Sequence, residues 1–338
     1  MIKDSIKKLV EGKNLTREEA ALTMDTIMRG DATPSQIAAF ITALRMKEET
    51  VNEITGCAEK MREHAINITP EQKNLVDTCG TGGDVSGTFN ISTVSAFVVA
   101  GAGIPVAKHG NRSVSSKCGS ADILEALGVN IEIEPKKVEE SISKVGIGFI
   151  FAPKFHKAMK FAMPSRKEIG IRTVFNILGP LTNPAKASAQ VLGVFNPDLT
   201  EMIAKVLGNL GVKQAMVVHG MDGLDEISIS DKTRVSELKN GKVKTSFIKP
   251  EDFGMKKGKK EDILGGSINE NLKIAYAVLK GEEKGPKRDV VLINAAAAIY
   301  VGGKAKDIKE GIKLAAKSID SGAAYKKVEE MIKFTKGT

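Results

Sequence analysis

The chain has 338 residues, of which 42% are hydrophobic and 27% charged, so it is long enough for two domains and apolar enough to bury a core. Its net charge of +9 suits a lysine-rich solvated surface, which is the better default, or attraction of a polyanion such as nucleic acid or a phosphorylated small molecule. Aromatic residues make up only 4%, and no apolar run approaches about 20 residues, which argues against a reader of single-stranded nucleic acid and against a membrane span.

Residues 1–65 predict a run of short helices. Apolar residues recur at helical spacing, and three segments carry a capping-box pattern in which Thr is followed three residues later by Glu or Gln. These patterns begin at Thr16, Thr33 and Thr50, and Pro34 stands at the first helical position of the second. Because no strand pattern occurs here, the segment is predicted to be all helical.

After Pro70 the pattern changes to strands alternating with helices, which is typical of a mainly parallel sheet in an α/β domain. Two more helices are expected between 154 and 178, separated by Pro164. The strands of this half are predicted at 75–77, 104–107, 129–133 and 149–151, and the intervening helices at 90–102, 121–127 and 136–145.

The alternation resumes with strands at 191–194 and 215–218 on either side of a helix from about 198 to 210. Residues 227–248 predict a β-hairpin with Asn240-Gly241 at its turn, because this pair favours the left-handed backbone of a tight hairpin. The last 70 residues predict helices, of which 292–301 is apolar enough to be buried.

The cysteines and the N-terminus indicate a reducing compartment. Cys57, Cys79 and Cys118 are odd in number, widely spaced and outside any CxxC pattern, which argues against a disulfide framework or a zinc site. Reduced thiols fit a cytoplasmic protein. The first residues are polar and lack the apolar stretch of a signal peptide, so none is predicted.

A glycine-rich loop, DTCGTGGD at 77–84, follows the first strand after Pro70. Its glycines let backbone N–H groups approach a ligand closely, and it leads to a helix start near Asn90, which suits phosphate or pyrophosphate. It matches neither GxxxxGK[ST] nor GxGxxG, because no Gly-Lys pair follows and Val85 stands at the last glycine position. A tight turn without a ligand is nearly as good an interpretation of this loop alone.

The second polar segment, KHGNRSVSSKCGS at 108–120, lies between a predicted strand and a predicted helix. Its Lys and Arg supply charge, while hydroxyl and N–H groups supply directed hydrogen bonds. A solvated loop is the alternative, but ligand sites of α/β proteins lie at strand ends, which favours binding.

The third segment, DGLDE at 222–226, follows the strand that leads to His219. Magnesium prefers a few carboxylate oxygens together with water and substrate phosphates. An acidic turn without a metal explains the segment alone. With two phosphate-friendly loops elsewhere, the segment is predicted to anchor magnesium.

The segment from His156 to Arg166 carries a weaker signal. Arg166 could form a paired contact with a carboxylate, but an ordinary surface arginine is the better interpretation of that residue alone, and His156 is undecided. Nucleophilic catalysis is not indicated, because GxSxG is missing and Cys79 is better explained by packing of its loop.

Together these segments resemble the anthranilate phosphoribosyltransferase family. GTGGD and KHGN are shared in part with pyrimidine nucleoside phosphorylases, whereas KHGNR with SSKxGSAD, together with GLDE, is more specific. Cys118 replaces a Ser that is often associated with its segment. The matching stretches occur in family order over nearly the whole chain and are DTCGTGGD, FNIST, KHGNRSVSSKCGSADILEALG, FAPKFHKAMK, IRTVFNILGPLTNP, VHGMDGLDEIS and RDVVLINAAAAIYVGG.

The resemblance implies a small all-helical domain beside a larger α/β domain that has a mainly parallel central sheet flanked by helices. The helical domain would comprise residues 1–70 with about 154–185, and the α/β domain residues 71–153 and 186–338. The resemblance also implies a homodimer formed through the helical domain, with neither nucleic acid nor a membrane as partner.

The activity implied by the resemblance is transfer of the phosphoribosyl group of 5-phosphoribosyl 1-pyrophosphate to anthranilate, in tryptophan biosynthesis. It would require Mg²⁺, expected as two ions. Because the aromatic amine is a neutral nucleophile, catalysis would rest on positioning by Lys108, Asn111 and Arg166 and on charge stabilisation, without a covalent intermediate.

By motif, the resemblance assigns three overlapping sets of residues. The magnesium set is Ser92, Asp225 and Glu226. The anthranilate set is Gly80, Asn111, Arg166, His109, His156 and Pro180. The phosphoribosyl pyrophosphate set is Gly80, Gly83, Asp84, Thr88, Asn90, Ile91, Ser92, Thr93, Lys108, His109, Gly110, Asn111, Arg112, Ser113, Val114, Ser115, Ser116 and Ser120.

Two other functions stay open. A pyrimidine nucleoside phosphorylase would use the glycine loop for inorganic phosphate, but a second glycine-rich stretch expected in those enzymes is missing. A nucleic-acid-binding relative without transferase activity is consistent with the net charge of +9. The presence of Arg166, Asp225 and Glu226 counts against that relative.

Overall fold

A helical layer packs on an α/β unit in this protein, whose computed structural model describes residues 1–83, 86–113 and 118–337. Within these ranges no helix is long and apolar enough to cross a membrane. The strands are β1 (Val76–Gly80), β2 (Val106–Gly110), β3 (Ile147–Phe151), β4 (Ala189–Gly193), β5 (Gln214–Gly220), β6 (Thr233–Lys239) and β7 (Lys242–Ile248).

Fifteen α-helices surround or extend this sheet in the described ranges, together with short 3-10 helices at Lys157–Phe161, Pro250–Phe253 and Lys260–Ile263. The α-helices are α1 (Ile2–Val10), α2 (Arg17–Arg29), α3 (Pro34–Lys47), α4 (Val51–Glu63), α5 (Ile91–Gly101), α6 (Ser120–Leu127), α7 (Pro135–Val145), α8 (Ala152–Phe155), α9 (Met163–Ile169), α10 (Phe175–Leu181), α11 (Leu199–Asn209), α12 (Ile268–Leu279), α13 (Pro286–Val301), α14 (Ile308–Asp320) and α15 (Ala323–Lys336).

Three capping boxes begin α2, α3 and α4, as the sequence predicts. Thr16, Thr33 and Thr50 each accept a hydrogen bond from the backbone N–H three residues later, and the Glu or Gln at that position bonds back to the Thr backbone. Two of the N–H groups that each helix start leaves without a partner are thereby satisfied. The predicted helical character of the first segment is confirmed.

The sheet has the strand order β3-β2-β1-β4-β5-β6-β7. The first five strands in that order are parallel, and β6 and β7 add an antiparallel hairpin at one edge. Asn240 and Gly241 in the hairpin turn have φ values of 52° and 72°, the positive values that a two-residue turn requires. β2 and β3 follow β1 on one side of it, whereas β4 and β5 lie on its other side, so the order in which strands are added reverses between β1 and β4.

Alternate residues of the strands face two different cores. Val191 packs in a core with α5, α13, α14 and α15, whereas Leu192, the next residue, packs in a core with α11 and α1–α4. Val218 and Val217 divide in the same way. The helical layer therefore shares a single core with one face of β4 and β5.

Two sequence predictions are wrong. Residues 129–133 form an irregular connection between α6 and α7 rather than a strand, although Val129 and Ile131 are buried. A short apolar run predicts burial but not a pairing partner. Pro164 does not separate two helices, because it lies in the first turn of α9. A backbone N–H at this position would have no acceptor within the helix, so proline is tolerated there.

Gly56 allows α4 to pack closely against α2. A Cβ at this position would collide with the carbonyl oxygen of Arg17 and lie 2.9 Å from the backbone nitrogen of Ala21. A Gly→Ala change inside a helix normally stabilises a protein by up to about 1 kcal/mol. Because of the collision, we expect Gly56→Ala instead to lower the free energy of unfolding by about 1–3 kcal/mol in urea titrations.

The matched control is Asn52→Ala, at an exposed position of the same helix. It should change the free energy of unfolding by no more than about 0.5 kcal/mol. A Gly56→Ala protein as stable as the parent would contradict the close packing of α2 and α4.

Candidate active site

The glycine loop after β1 and the acidic segment after β5 are in direct contact. The Gly82 N–H donates a hydrogen bond of 2.8 Å to Oδ2 of Asp225. A Cβ at Gly80 would collide with the same carboxylate, and a Cβ at Gly193, at the end of β4, would collide with the Asp225 backbone carbonyl. Two strands thus end in glycine where Asp225 approaches them.

Lys108 joins the second polar segment to this group. It is 3% exposed, and its Nζ donates to the carbonyl of Thr78 at 2.6 Å and to Oγ of Ser92 at 3.3 Å. Burial lowers the pKa of Lys108, while the negative charges of Asp77 and Glu226 act in the opposite direction. The ammonium group therefore lies within electrostatic reach of the start of α5 and of the acidic segment.

The structure thus brings together Gly80, Ser92, Lys108 and Asp225 at the carboxyl edge of the parallel strands. Strand order reverses between β1 and β4 at this edge. In open α/β sheets, ligands bind in the crevice outside such a reversal, since the loops on its two sides diverge. Ile91 and Thr93 are buried in the first turn of α5 and support Ser92 between them.

Asn271 of α12 holds the segment before α5, a contact that the sequence does not predict. Its Nδ2 donates to Oδ1 of Asn90 at 3.3 Å, and the Asn90 side chain in turn donates to the carbonyl of Cys118 at 2.9 Å. Thr88 pairs with Leu264 just before α12. Asn271 and Asn90 are 181 residues apart, and no local pattern signals such a contact.

The described part of the 108–120 segment folds back on α6. Arg112 forms ion pairs with Asp122 at 3.2 Å and with Glu125, so carboxylates of α6 engage its guanidinium group. Ser120 donates to the Asn111 carbonyl at 3.1 Å, and a Cβ at Gly110 would collide with the Ser120 hydroxyl. Arg112 is therefore not grouped with Lys108, although both were assigned to the same ligand.

Ser113 also belongs to the α6 group, because its N–H donates to Oδ2 of Asp122 at 3.2 Å. Asp84, Val114, Ser115 and Ser116 were assigned to the phosphoribosyl donor by resemblance. These four residues lie outside the described residues.

Arg172 contacts the glycine loop from the segment between α9 and α10. Its Nη2 donates to the carbonyl of Gly83, and its guanidinium carbon lies 4.5 Å from the centroid of the Phe195 ring. Gly83 has a φ of 77°, and a Cβ there would lie 2.6 Å from the guanidinium group. Arg172 was missed as a site residue, although it stands in the IRTVFN stretch that carried the family resemblance.

His109 and His156 form a buried pair beside Lys108. Their ring centroids are 5.1 Å apart, and the Nε2 atom of each is buried without a hydrogen-bond partner among the described residues. Burial lowers the pKa of both rings, that of His156 to about 4, and the carbonyls of Gly179 and Thr182 oppose this lowering for His109 and His156 respectively. Both rings are therefore neutral at pH 7.

Arg166 lies in α9, close to the start of α10. Its guanidinium carbon is 5.1 Å from the centroid of the Phe175 ring, and burial lowers its pKa. α10 begins at Phe175 and contains Pro180 near its end, and the carbonyls of Gly179 and Thr182 at that end act on the histidine pair. Arg166 and the histidines are therefore linked through α10, while the described contacts of Asn111 are with α6.

Asp77 is a buried carboxylate below the glycine loop. It accepts hydrogen bonds from the His109 backbone N–H at 3.2 Å and from Nδ2 of Asn183 at 2.9 Å. Burial raises the pKa of Asp77 to about 6, and the charge of Lys108 opposes this rise. Asp77 thus ties β2 to the segment after α10.

The oxygen donors of this edge fit magnesium. Among the described residues there is no group of three or more His, Cys, Asp and Glu side chains that could hold a metal ion. Magnesium, however, takes only one or two carboxylates from a protein and completes its shell with water and phosphate oxygens. Asp225, Glu226 and the Ser92 hydroxyl are such a small set of hard donors.

Both parts of the chain match known protein families. Residues 3–65 match the family described as "Glycosyl transferase family, helical bundle domain", and residues 72–325 match "Glycosyl transferase family, a/b domain". The anthranilate phosphoribosyltransferase of Acetivibrio thermocellus is 59% identical over 335 residues, which cover 99% of this chain and 97% of that protein.

Solved structures agree with this similarity. A crystal structure of anthranilate phosphoribosyltransferase from Thermus thermophilus has a TM-score of 0.94 and 44% identity, covering 98% of this chain and 99% of its own. The Saccharomyces cerevisiae enzyme in complex with PRPP and Mg has a TM-score of 0.90 and 28% identity, covering 100% and 98%. The same yeast enzyme in complex with 4-fluoroanthranilate has a TM-score of 0.89 and 28% identity, covering 100% and 98%.

His156 should make the stability of the protein depend on pH. Its pKa falls from 6.5 to about 4 on folding, so between these values the unfolded chain binds a proton that the folded protein does not. The free energy of unfolding therefore decreases as the pH is lowered through that window. We expect the parent protein to lose about 2 kcal/mol more than His156→Asn when urea titrations at about pH 7.5 and about pH 5 are compared. Equal losses would contradict a buried neutral ring.

Proposed function

The chain belongs to the anthranilate phosphoribosyltransferase family, and from this membership we propose that it transfers the phosphoribosyl group of 5-phosphoribosyl 1-pyrophosphate to anthranilate. The products are N-(5-phosphoribosyl)anthranilate and pyrophosphate, and the reaction belongs to tryptophan biosynthesis. The observation that carries the proposal is the contact of the glycine loop with Asp225 beside Lys108, at one edge of the sheet.

The donor is proposed to bind along the glycine loop and the start of α5. The helix N-terminus there presents a positive dipole, which suits a phosphorylated ligand. Asn90, Ser92 and Thr93 open that helix, and Lys108 adds a buried positive charge against it. Charge that grows on the departing pyrophosphate would be stabilised by groups already fixed in place.

The acceptor is proposed to bind on the side of α10, between the histidine pair and Arg166. Two neutral rings with free Nε2 lone pairs suit an aromatic amine, which donates N–H bonds. The half-buried guanidinium of Arg166 would pair with the carboxylate of anthranilate. Neutral histidines would leave the amine nitrogen free of a competing proton, so its lone pair attacks the anomeric carbon.

Magnesium is proposed to be held by Asp225 and Glu226 with Ser92, and we expect two ions. When bound, it would neutralise part of the charge of the diphosphate. Asp225 is 9% exposed and its Oδ2 accepts from the Gly82 N–H, so the carboxylate is oriented before any ligand arrives. The donor complex of the yeast relative was solved with Mg, which supports this use of the metal.

We further propose a homodimer formed through the helical domain, which would comprise residues 1–70 with about 154–185. The segment after β3 supports this division, because it packs on the N-terminal helices. The Ser165 hydroxyl donates to the Pro34 carbonyl at 2.9 Å, and the ring of Phe161 lies against Gly30. The three free cysteines are buried, and we place the enzyme in the reducing environment of the cytoplasm.

Incubation with anthranilate, 5-phosphoribosyl 1-pyrophosphate and magnesium tests the proposed function. We expect anthranilate fluorescence to be consumed only when all three are present. Release of a free base from a pyrimidine nucleoside and inorganic phosphate, without loss of anthranilate, would indicate a phosphorylase instead. Binding of nucleic acid with no turnover of either kind would indicate a relative without transferase activity.

Removal of both carboxylates of the acidic segment should impair the magnesium dependence. In Asp225→Asn with Glu226→Gln, we expect kcat/KM to fall on the order of 100-fold, because fixed charge at the diphosphate is lost. The magnesium concentration for half-maximal rate should rise about tenfold. The first is measured by varying each substrate at a fixed magnesium concentration, and the second by titrating magnesium at saturating substrates.

The matched control is Glu251→Gln with Glu261→Gln, which also removes two negative charges, but from exposed positions. Its magnesium dependence should equal that of the parent. If the Asp225 and Glu226 variant also kept the magnesium dependence of the parent, the metal role of these residues would be wrong.

A further inference from the structure

Two neighbouring backbone carbonyls at the end of α10 accept hydrogen bonds from side chains elsewhere in the chain. The Pro180 carbonyl accepts from Gln190 at 2.8 Å, and the Leu181 carbonyl accepts from Arg62 at 2.7 Å. The last carbonyls of a helix are left without partners within the helix, so these two bonds hold the end of α10 in place. The rings of His109 and His156 lie beside the carbonyls on either side, those of Gly179 and Thr182, which oppose the lowering of the ring pKa by burial.

Gln190 connects this helix end to the sheet. It is 3% exposed on β4, on the opposite side of the strand from Val191. Besides its bond to Pro180, its Nε2 lies 3.1 Å from Sγ of Cys79 and 3.4 Å from Oδ2 of Asp77, both on β1. The amide thus holds the helix end against the strand that leads into the glycine loop.

Arg62 connects the same helix end to the helical layer. From the end of α4, its Nε donates to the Leu181 carbonyl, and its Nη1 donates to the Leu210 carbonyl at 3.0 Å. Leu181 ends α10 and Leu210 is the cap of α11, so one cation serves two helix C-termini, where positive charge is favoured. Burial lowers the pKa of Arg62 to about 10, and the group remains charged at neutral pH.

The end of α10 lies beside the histidine pair. The carbonyls of Gly179 and Thr182 act on the two rings, and the Nε2 atom of each ring is buried without a hydrogen-bond partner among the described residues. A shift of the helix end would turn both rings and move Pro180 with them. Catalysis that depends on alignment of an acceptor is sensitive to displacements of this size.

We propose that Gln190 and Arg62 are positioning residues for the acceptor, which fix the end of α10 so that the two histidines and Pro180 face the aromatic substrate. Neither residue would touch that substrate. The inference rests on the proposed function and deepens it, because it assigns part of the affinity for anthranilate to residues that do not contact anthranilate.

Gln190→Leu tests the inference, because leucine keeps much of the volume and removes the donor to Pro180. We expect KM for anthranilate to rise about tenfold, while KM for 5-phosphoribosyl 1-pyrophosphate changes less than about twofold. Binding of 4-fluoroanthranilate to the protein with donor and magnesium absent, measured by calorimetry, should weaken by about the same factor as KM rises.

The matched control is Ser141→Ala, which removes a buried side-chain bond to the Ile147 carbonyl far from α10. It should lower stability as Gln190→Leu does, without separating the two KM values. Arg62→Lys is the second variant, because it keeps the charge but cannot reach both carbonyls in the same fork geometry. We expect the same selective rise in KM for anthranilate.

The KM values and the binding of the fluoro analogue together distinguish failure of the positioning role from failure of the proposed function. Unchanged KM for anthranilate in folded Gln190→Leu and Arg62→Lys, or equal rises for both substrates, would overturn the positioning role. An unmodified protein that neither consumes anthranilate nor binds its fluoro analogue would overturn the proposed function itself. Selective loss of the acceptor in either folded variant supports the inference even if the other fails to fold.

Discussion

The close approach of Asp225 to the ends of β1 and β4 is the constraint on which the site depends. The carboxylate accepts the Gly82 N–H, and side chains at Gly80 or Gly193 would occupy the space of its atoms. Because both strands end in glycine, an acidic loop from beyond β5 reaches the crevice where strand order reverses. Without that approach, the buried Lys108 would keep the negative charge of Asp77 beside it but lose that of Glu226.

The two sides of the site differ in charge. The edge at α5 combines Lys108, Asp225 and Glu226, and the negative charge of Glu226 acts on Lys108. The edge at α10 holds two histidines that burial keeps neutral. This division suits a reaction between a highly charged donor and an uncharged amine. In the proposed reaction, the charged leaving group would meet fixed charges, and the amine would meet neutral rings that do not add a proton to it.

Much of the fold could be predicted because its signals are local. Each capping box, at Thr16, Thr33 and Thr50, indicates a helix start within four residues. The pair Asn240-Gly241 indicates a hairpin turn, because it favours the positive φ values that such a turn requires. The strand expected at 129–133 failed because burial of an apolar run does not reveal whether a neighbouring strand is available.

The candidate site was predictable where motifs end parallel strands, since such ends meet at one edge. The partners of those motifs were not. Arg112 has two carboxylates of α6 beside it, Asn271 reaches Asn90 across 181 residues, and Gln190 supports Pro180 from another strand. These contacts depend on tertiary packing, which leaves no period or spacing in the sequence. The core that α1–α4 share with α11 and one face of β4 and β5 also limits how independently the two parts of the chain can change in evolution. Two separate family descriptions cover the chain, at 3–65 and 72–325, yet neither segment alone encloses the apolar interior that it helps to fill. Recombination between relatives at the junction would preserve every motif and still mismatch side chains across that interior, so the two segments have to evolve as one unit.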